Sequence, residues 1–265
     1  MKLQCQRPDD AAPSHTLSLM PATPPRPAAA PATLPLLRPL TTVDVAIFAV
    51  VEQRLQVLLV QRGKAPGEPY PGRWALPGGF IDVTRDETLE ACARRKLAEK
   101  TGVAAPYLEQ LGSWGDRTRD PRGWSATHAW FALVRTTETG ALASGGNAID
   151  VRWAPVDDNG VATPLAFDHA AILAAALERL RGKVEYTSLP AFLLPPEFTL
   201  SDLQRAYETI LGRPLEKSAF RTRILATDLV IPVPRFREGP NRPARLYRLR
   251  SATRPVYFQR TFKPV

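Results

Sequence analysis

One short stretch of the sequence places charged side chains at spacings that suit either a metal ion or a phosphate group. Lys96, Glu99 and Lys100 stand three and four residues apart, so in a helix they share one face. Carboxylates on such a face can hold Mg²⁺ against a diphosphate, where the metal activates water. Two lysines repel a divalent cation and leave Glu99 as the one carboxylate on this face. We therefore predict no metal site and no catalytic residue.

The same lysines suit the phosphates of a nucleotide. A lysine ammonium group binds phosphate oxygens as a point charge and needs no metal to do so. We predict that Lys96, Glu99 and Lys100 help to bind a nucleotide. The alternative is that both lysines are solvated and only pair with Glu99.

A second concentration of charge lies at the C-terminal end. Residues 197–265 contain 14 Lys and Arg against 6 Asp and Glu, a net charge of +8 out of +9 for the whole chain. A short basic region suits a polyanion, because each neutralised phosphate releases condensed counterions. On charge alone, an arginine-rich solvated surface is a better interpretation than a polyanion-binding surface. The local sequence pattern has to distinguish these two interpretations.

The local pattern in this region predicts two helices joined by a turn. Thr199 and Asp202 have the capping spacing that begins a helix, and apolar residues follow at helical spacing through Leu211. A turn follows at 212–214, and Ser218 then caps a second helix. The residues of that helix expected to face inward are Phe220, Ile224 and Leu225. In a helix-turn-helix the first turns of such a helix enter the DNA major groove.

A hairpin follows the second helix and completes the pattern of a winged helix-turn-helix. Residues 230–250, VIPVPRFREGPNRPARLYRLR, predict two strands around a Gly-Pro-Asn turn with arginines near its tip. Wing arginines commonly meet phosphates or the minor groove. The residues predicted to contact double-stranded DNA are Lys217, Ser218, Arg221, Thr222, Arg223, Arg237, Arg242 and Arg245. The alternative is a winged helix that only docks a protein or dimerises.

The elements before this region predict a mixed α/β domain. VDVAIFAVV (43–51) and LQVLLVQR (55–62) are β-branched apolar runs separated by polar residues, as in a hairpin or in adjacent strands. WALPGGF (74–80) fits a strand, a turn and a glycine pair, and a helix is expected to open at Thr84 with Glu87 as its capping partner. Further strands are expected at 107–112, 126–134 and 151–156, and an alanine-rich helix at 167–181.

Composition divides the chain into four parts. Residues 1–40 hold 9 of the 27 prolines without any helical or alternating period, so we predict a disordered proline-rich tail. The α/β domain is expected over 41–184 and the winged helix-turn-helix over 199–265. A linker over 185–198 is inferred from its prolines.

The sequence also indicates the cellular compartment in which we expect the protein. Two cysteines, Cys5 and Cys92, cannot build a disulfide framework, and no apolar run has the length needed to span a bilayer. The N-terminus lacks the basic start and compact apolar core of a secretory signal. We therefore expect a soluble cytoplasmic protein with no membrane partner.

The region around the two lysines resembles the Nudix box. In GGFIDVTRDETLEACARRKLAEKTGV, residues 78–103, the matching positions are Gly79, Glu87, Arg95, Leu97, Glu99, Gly102 and Val103. The gap from Gly79 to Glu87 is two residues longer than usual, and Lys96 and Lys100 stand where the family has its other glutamates. The resemblance implies a Nudix fold, and these departures imply that diphosphate hydrolysis is lost.

Three further segments narrow the resemblance. They are GDRTRDPRGWSATHAWFAL (115–133), PLAFDH (164–169) and EFTLSDLQRAYETILGRPLEKSAFRTRIL (197–225). Together with the degenerate box they resemble the Nudix-related transcriptional regulators (NrtR), repressors of NAD synthesis and salvage genes whose effector is ADP-ribose. The resemblance implies an α/β Nudix sandwich with a C-terminal winged helix-turn-helix, binding ADP-ribose as effector and requiring no cofactor.

The resemblance also implies which residues bind the effector. Besides the three helix residues, the implied set is Arg62, Trp74, Gly79, Phe80, Arg119, Asp120, Arg122 and Trp124. The chemistry agrees, because arginines grip phosphates bidentately, indoles offer a stacking face to adenine, and glycines let N–H groups approach a diphosphate. Bland alternatives remain: Trp74 fits a core position, Asp120 a turn cap, Asp168 a helix cap and His169 an interior histidine.

Three other functions stay open on the sequence alone. They are an active Nudix hydrolase with an appended regulatory domain, a related regulator that answers to a sugar, and an interaction module that does not bind DNA. The prediction we favour is a homodimeric repressor on a palindromic operator, because a two-fold dimer presents two recognition helices about one DNA turn apart.

Overall fold

A hairpin of two apolar strands forms the centre of the N-terminal part of the chain. In this computed structural model, strands β1 (Leu40–Val51) and β2 (Arg54–Arg62) pair antiparallel. Glu52 and Gln53 form the turn with φ values of 49° and 61°, the left-handed conformation that the tightest hairpin turns require. The predicted hairpin is confirmed.

The structure describes residues 38–102, 105, 107–135, 142, 148–238, 243–251 and 254–258. The predicted tail over 1–40 therefore lies almost entirely outside the described residues, as do Cys5 and Arg242. No helix within these ranges is long and apolar enough to cross a membrane.

The hairpin is extended into a seven-stranded mixed sheet. Its other strands are β3 (Trp74–Ala75), β4 (Gly78–Phe80), β5 (Tyr107–Asp116), β6 (Ser125–Leu133) and β7 (Ala148–Pro155). The order is β3-β2-β1-β6-β5, while β4 pairs with β1 and β7 pairs with β2. Strands β1 and β6 run parallel, and the other pairs are antiparallel. The predicted mixed α/β domain is confirmed.

One helix packs on each face of this sheet. Helix α1 (Leu89–Thr101) buries Leu97 in one apolar cluster with strand residues. Helix α2 (His169–Val184) buries Ile172 in a second cluster on the opposite face. Because successive strand residues point to opposite faces, the sheet can be buried by a helix on each side.

Helix α1 begins later than the sequence predicts. Its N-cap is Thr88, whose hydroxyl accepts a hydrogen bond from the N–H of Ala91 (3.0 Å). Thr84, the expected start, donates its hydroxyl and its backbone N–H to Asp82 Oδ1 (2.6 and 3.0 Å). Such local bonds compete with helix formation and hold this segment in turns. Glu87 is exposed and precedes the helix.

The C-terminal part combines a three-stranded sheet with two helices. Its elements are β8 (Phe198–Thr199), α3 (Leu200–Leu211), α4 (Lys217–Leu225), β9 (Val230–Arg237) and β10 (Ala244–Leu249). Thr199 Oγ1 accepts from the N–H of Asp202 (3.1 Å), and the Asp202 carboxylate accepts from the N–H of Thr199 (2.9 Å). This is the predicted capping box. The winged helix-turn-helix is confirmed.

Two details of α4 differ from the prediction. Its N-cap is Glu216, whose carboxylate accepts hydrogen bonds from the N–H groups of Ser218 (2.8 Å) and Ala219 (2.5 Å), so Ser218 does not cap the helix. The prediction that Leu225 faces inward is wrong, because its side chain is 54% exposed while Ile224 is buried. Successive helix residues differ by about 100° in direction, so the neighbour of a buried residue can point to solvent.

The segment 185–198, predicted as a linker, is a packed connection. Its central residues Leu189–Leu193 form a 3-10 helix in which all five are buried. One cluster of buried apolar side chains continues from the sheet through α2 and this 3-10 helix into α3 and α4. The α/β part and the winged-helix part therefore share a core, which a solvated linker would not provide.

Candidate effector cleft and nucleic-acid interface

A cleft of about 750 Å³ lies between the glycine pair of β4 and the charged face of α1. Nine of the eleven residues predicted to bind the effector line it. They are Arg62, Gly79, Phe80, Lys96, Glu99, Lys100, Arg119, Asp120 and Arg122. These residues are far apart in the sequence, so the fold is what brings them together.

The glycine pair forms a wall of the cleft on which a side chain has no room. A Cβ atom on Gly78 would lie 1.9 Å from Asp44 Oδ1 and 2.6 Å from the carbonyl oxygen of Val43. Gly79 has a φ of 143°, which side chains rarely permit, and a Cβ atom there would lie 3.2 Å from Lys96 Nζ. The lysine ammonium group therefore lies against bare backbone.

Two lysine side chains of α1 line the cleft opposite this wall. Lys96 Nζ lies 3.9 Å from Glu99 Oε2, and Glu99 Oε1 accepts a hydrogen bond from Arg95 Nη1 (2.9 Å). Burial lowers the pKa of Lys100, the charge of Glu99 raises it, and the like charge of Lys96 lowers it; the net shift is downward. An anion in the cleft would relieve this cost of holding two ammonium groups together.

The two glutamates that match the box do not lie together in the cleft. The carboxylate of Glu99 is engaged by Arg95 and Lys96, and Glu87 does not line the cleft. Within the described ranges no three His, Cys, Asp or Glu side chains are close enough to share a metal ion. The cleft is lined by the ammonium groups of Lys96 and Lys100, and its other acidic lining residues are Asp44, Asp82 and Asp120.

A buried charged network lies at the inner end of the cleft. The backbone N–H of Leu76 donates to His169 Nδ1 (2.9 Å), so Nδ1 is the acceptor and Nε2, which lies 3.5 Å from Asp44 Oδ2, carries a proton. Arg119 Nη2 lies 3.7 Å from the same Asp44 oxygen. Arg119 also donates Nε and Nη2 to the carboxylate of Asp168 (2.9 and 2.8 Å). The network joins β1, the loop after β5 and the start of α2.

Asp44 is the functional residue that sequence reasoning missed. Burial raises the pKa of its carboxyl group, but His169, a hydrogen bond from Thr127 and the charge of Arg119 outweigh burial, and the pKa lies below its ordinary value. The signal was available, because Asp44 is the one charged residue in the apolar run 43–51. An acidic residue in a buried strand needs partners that the rest of the fold supplies.

Arginine side chains cover aromatic rings on either side of the cleft. The guanidinium of Arg62 lies 4.8 Å from the ring centre of Phe167 and pairs with Glu68 (2.7 Å). Burial lowers the pKa of Arg62, and the charge of Glu68 raises it in part. Arg122 lies 5.2 Å from the ring centre of Phe80, which is 46% exposed. The rings and guanidinium planes offer surfaces on which a base can stack.

The two tryptophans predicted to bind the effector lie outside the set that lines this cleft. Trp74 packs against the main core, and the guanidinium of Arg152 lies 4.1 Å from its ring centre. Trp124 is 46% exposed on the loop before β6. Tryptophan suits a core as well as a stacking surface. The surroundings of Trp74 match the alternative in which it is a core residue.

One side of α4 presents a basic and polar surface. Lys217, Ser218, Arg221, Thr222 and the exposed Leu225 line a shallow groove of about 360 Å³. Residues three and four positions apart share a helix face. Arg221 Nε is buried and has no hydrogen-bond partner in the part of the chain that the structure describes. This face offers donors to nucleic acid.

The wing carries two more of the predicted DNA contacts. Arg237 Nη1 lies 2.8 Å from Asp202 Oδ2, which ties the end of β9 to the start of α3. The guanidinium of Arg245 lies 5.5 Å from the ring centre of Phe236. Arg242, expected near the tip of the wing, lies outside the described residues.

Arg223 is not among the residues that line the groove on α4. Its Nη2 donates to the carbonyl oxygen of Glu185 (2.8 Å), at the C-terminal end of α2. Its guanidinium also lies 5.6 Å from the ring centre of Phe258. The structure therefore groups four of the five predicted contacts of α4 and separates the fifth.

Family comparisons match both parts of the chain. The model described as a NUDIX domain matches residues 40–176, and the model described as the NrtR DNA-binding winged helix domain matches residues 190–249. An "ADPR responsive transcriptional repressor NtrR" of Acinetobacter baylyi is 46% identical over 210 residues, which cover 79% of this chain and 82% of that protein. An "ADP-ribose pyrophosphatase" of Methanocaldococcus jannaschii is 31% identical over 129 residues, covering 49% of this chain and 70% of that protein.

A solved structure shows the same arrangement of both parts. The crystal structure of Shewanella oneidensis NrtR complexed with a 27mer DNA aligns with a TM-score of 0.75 and 43% sequence identity, covering 84% of this chain and 100% of that chain. The two family models, the A. baylyi repressor and the structural match over 84% of this chain all agree. The chain belongs to the NrtR family, with a NUDIX domain followed by the NrtR DNA-binding winged helix domain.

Proposed function

We propose that this protein is a DNA-binding transcriptional repressor whose effector is ADP-ribose, bound in the cleft without hydrolysis. The observation that carries the proposal is the glycine wall at Gly78 and Gly79 facing the lysines of α1. The ammonium groups of Lys96 and Lys100 supply positive charge to a diphosphate without a metal, and the glycines leave room for it to approach. The names of the A. baylyi repressor and of the S. oneidensis DNA complex support the same two ligands here.

Each part of the chain has its own role in this proposal. Residues 41–184 bind the effector, residues 199–265 bind DNA, and the packed connection over 185–198 joins them. We infer a homodimer on a palindromic operator of NAD-metabolism genes in the cytoplasm, because paired recognition helices then meet two half-sites about one turn apart.

Binding to an operator tests this function. Fluorescence anisotropy with duplex DNA from upstream of the protein's own gene neighbourhood should show binding that ADP-ribose weakens by roughly 5- to 150-fold. A scrambled duplex controls for electrostatic binding, and free pentoses control for a sugar-responsive regulator. Operator affinity that ADP-ribose leaves unchanged would refute the proposed effector.

A separate assay tests the proposed lack of hydrolysis. With Mg²⁺ and ADP-ribose we expect AMP to be released no faster than without protein, because Glu99, the one box-matching glutamate that lines the cleft, is already paired with Arg95 and Lys96. Glu99→Gln is the matched variant, since it removes that carboxylate and keeps its size. Turnover that Glu99→Gln abolishes would show an active hydrolase and overturn this part of the proposal.

A further inference from the structure

Helix α2 runs from the effector cleft to the recognition helix. Its first residue, His169, lines the cleft, and its C-cap, Glu185, accepts the hydrogen bond from Arg223 of α4. At 1.5 Å per residue, its 16 residues span about 24 Å. A helix is stiff along its axis, so a shift at one end reaches the other.

The contact at the C-terminal end of α2 satisfies a need of that helix. The last carbonyl groups of a helix have no partner within it, and an arginine there completes them and favours the helix dipole. Arg223 donates to the carbonyl oxygen of Glu185 at 2.8 Å. Arg213 Nη2 lies 3.7 Å from the Glu185 carboxylate, which adds a second cation from the turn between α3 and α4.

The chain after the wing returns to the same place. Ser188 N–H donates to the carbonyl oxygen of Val256 (3.0 Å), and the N–H of Phe258 donates to the carbonyl oxygen of Tyr186 (2.7 Å). This segment, residues 256–258, lies antiparallel to the residues that follow α2 and places Phe258 under the Arg223 guanidinium. It lies beyond residues 190–249, where the winged-helix family model matches.

Two further hydrogen bonds cross this junction. Arg181 Nε on α2 donates to the carbonyl oxygen of Ile210 at the end of α3 (3.1 Å). The buried Tyr207 hydroxyl on α3 donates to the carbonyl oxygen of Thr187 (2.7 Å). Each bond joins a side chain on one helix to a backbone carbonyl group outside that helix. Together they fix how the end of α2 packs against α3.

We propose that Arg223 is a positioning residue that fastens the recognition helix to α2 and to the segment 256–258, and that it does not read bases. Arg221 and Arg223 are two positions apart, about 200° around a helix, so they point to opposite sides. Arg221 lies in the groove on α4, while Arg223 holds Glu185 and Phe258. This inference rests on the proposed function, because it assigns Arg223 to transmitting the effector's effect to DNA.

Two arginine variants of the full-length protein separate these roles. Operator affinity is measured by anisotropy with and without ADP-ribose at several salt concentrations. Arg223→Ala is expected to reduce the ADP-ribose effect on operator Kd by at least about 5-fold, with the salt slope unchanged. Arg221→Ala is expected to weaken binding by roughly 5- to 150-fold and to keep the ADP-ribose effect. Equal weakening by Arg223→Ala with and without ADP-ribose, with a smaller salt slope, would overturn the proposal.

Conservative variants guard against a merely structural effect. Arg223→Lys keeps one donor for Glu185 and should retain part of the ADP-ribose effect, and Phe258→Ala should reduce it as Arg223→Ala does. A Phe258→Leu variant, which keeps an apolar side chain, should lie between wild type and Phe258→Ala. If Phe258→Ala keeps the full effect, the role assigned to segment 256–258 is wrong.

Hydrogen exchange distinguishes failure of this inference from failure of the proposed function. Amides of 217–225 should exchange faster in Arg223→Ala than in wild type, with neither DNA nor ADP-ribose present. If the exchange rates of these amides do not change, that result alone overturns the role proposed for Arg223. A wild-type protein that ignores operator DNA or ADP-ribose, but loosens at α4 in Arg223→Ala, would instead refute the proposed function and leave the fastening contact established.

Discussion

The guanidinium of Arg119 and the carboxylate of Asp168 form a two-point ion pair at the inner end of the cleft, with Nε and Nη2 donating at 2.9 and 2.8 Å. Asp168 stands at the N-cap position of α2, yet its side chain makes no capping hydrogen bond. The carboxylate that could cap the helix is instead used to hold the loop that carries Arg119. The start of α2 is therefore tied to a cleft-lining residue.

Loss of this ion pair should destabilise the fold. Asp168→Ala leaves the Arg119 side chain, which is 3% exposed, with Asp44 as its remaining nearby carboxylate at 3.7 Å. Removing one partner of a buried pair leaves a desolvated charge, and because Asp44 remains nearby we expect a loss at the low end for such pairs, about 3 kcal/mol in the free energy of unfolding. Urea denaturation measures this loss.

Asp158→Ala is the matched control, because Asp158 also pairs with an arginine, Arg181, but is 84% exposed. An exposed ion pair contributes little to stability. Equal effects of Asp158→Ala and Asp168→Ala would contradict the argument from burial.

Alanine should have opposite effects at two glycines. At Gly78 the new Cβ would lie 1.9 Å from Asp44 Oδ1 and 2.6 Å from the backbone of Val43, so we expect a loss of about 2–3 kcal/mol in the free energy of unfolding. At Gly182, inside α2, a new Cβ meets no atom within 4 Å. There we expect a gain of about 0.5–1 kcal/mol, because alanine favours the helix. Denaturation curves of both variants check the two signs, and a stable Gly78→Ala protein would count against the close wall.

Local patterns predicted the parts of the fold that neighbouring residues decide. The hairpin at Glu52 and Gln53 and the capping box at Thr199 and Asp202 follow from residues within a few positions of each other. The late start of α1 was missed because Thr84 can either cap a helix or hydrogen-bond to Asp82, and in the structure it bonds to Asp82. The sequence of that segment does not show which of the two arrangements is more stable.

Long-range contacts are the part of the site that the sequence could not show. His169 and Asp44 meet across 125 positions, and Arg223 turns to Glu185 because a distant helix end and Phe258 lie beside it. Residue type suggested Arg223 as a DNA contact, since arginine serves both uses. Its direction depends on packing that no local pattern contains.

Acid should remove a stabilising contribution from Asp44. Its pKa in the folded protein lies below the ordinary value of about 3.9, although burial alone would raise it. A lowered folded-state pKa means that the contribution is fully present above pH of about 4 and is lost as the pH falls through the folded pKa. Asp44→Asn should therefore show a shallower fall in unfolding free energy as the pH falls below about 4.

Urea midpoints across this pH range measure that slope. Asp158→Asn removes an exposed carboxylate and serves as the control, which should keep the wild-type slope. An Asp44→Asn protein with the wild-type slope would show that Asp44 does not contribute in this way.

The lysines of α1 should carry part of the effector affinity. Lys96→Ala and Lys100→Ala are each expected to weaken ADP-ribose binding by roughly tenfold, because a charge-assisted contact to phosphate is lost. Isothermal titration calorimetry measures the change. Arg94→Ala is the control on the same helix, since Arg94 is exposed and pairs with Glu90 at 2.7 Å. If Arg94→Ala matters as much as the lysine variants, the cleft does not bind the diphosphate through this face.

The wing should contribute affinity without sequence choice. Arg245 is exposed on β10 beside Phe236, where it can meet a phosphate. Loss of one arginine–phosphate contact lowers the slope of log Kd against log salt concentration by about one. Because a phosphate contact does not depend on base sequence, Arg245→Ala should bind the operator and a scrambled duplex more weakly by a similar factor. Arg250→Ala is the control, because Arg250 is paired with Asp228 at 3.1 Å. A change confined to the operator would mean that Arg245 reads bases instead.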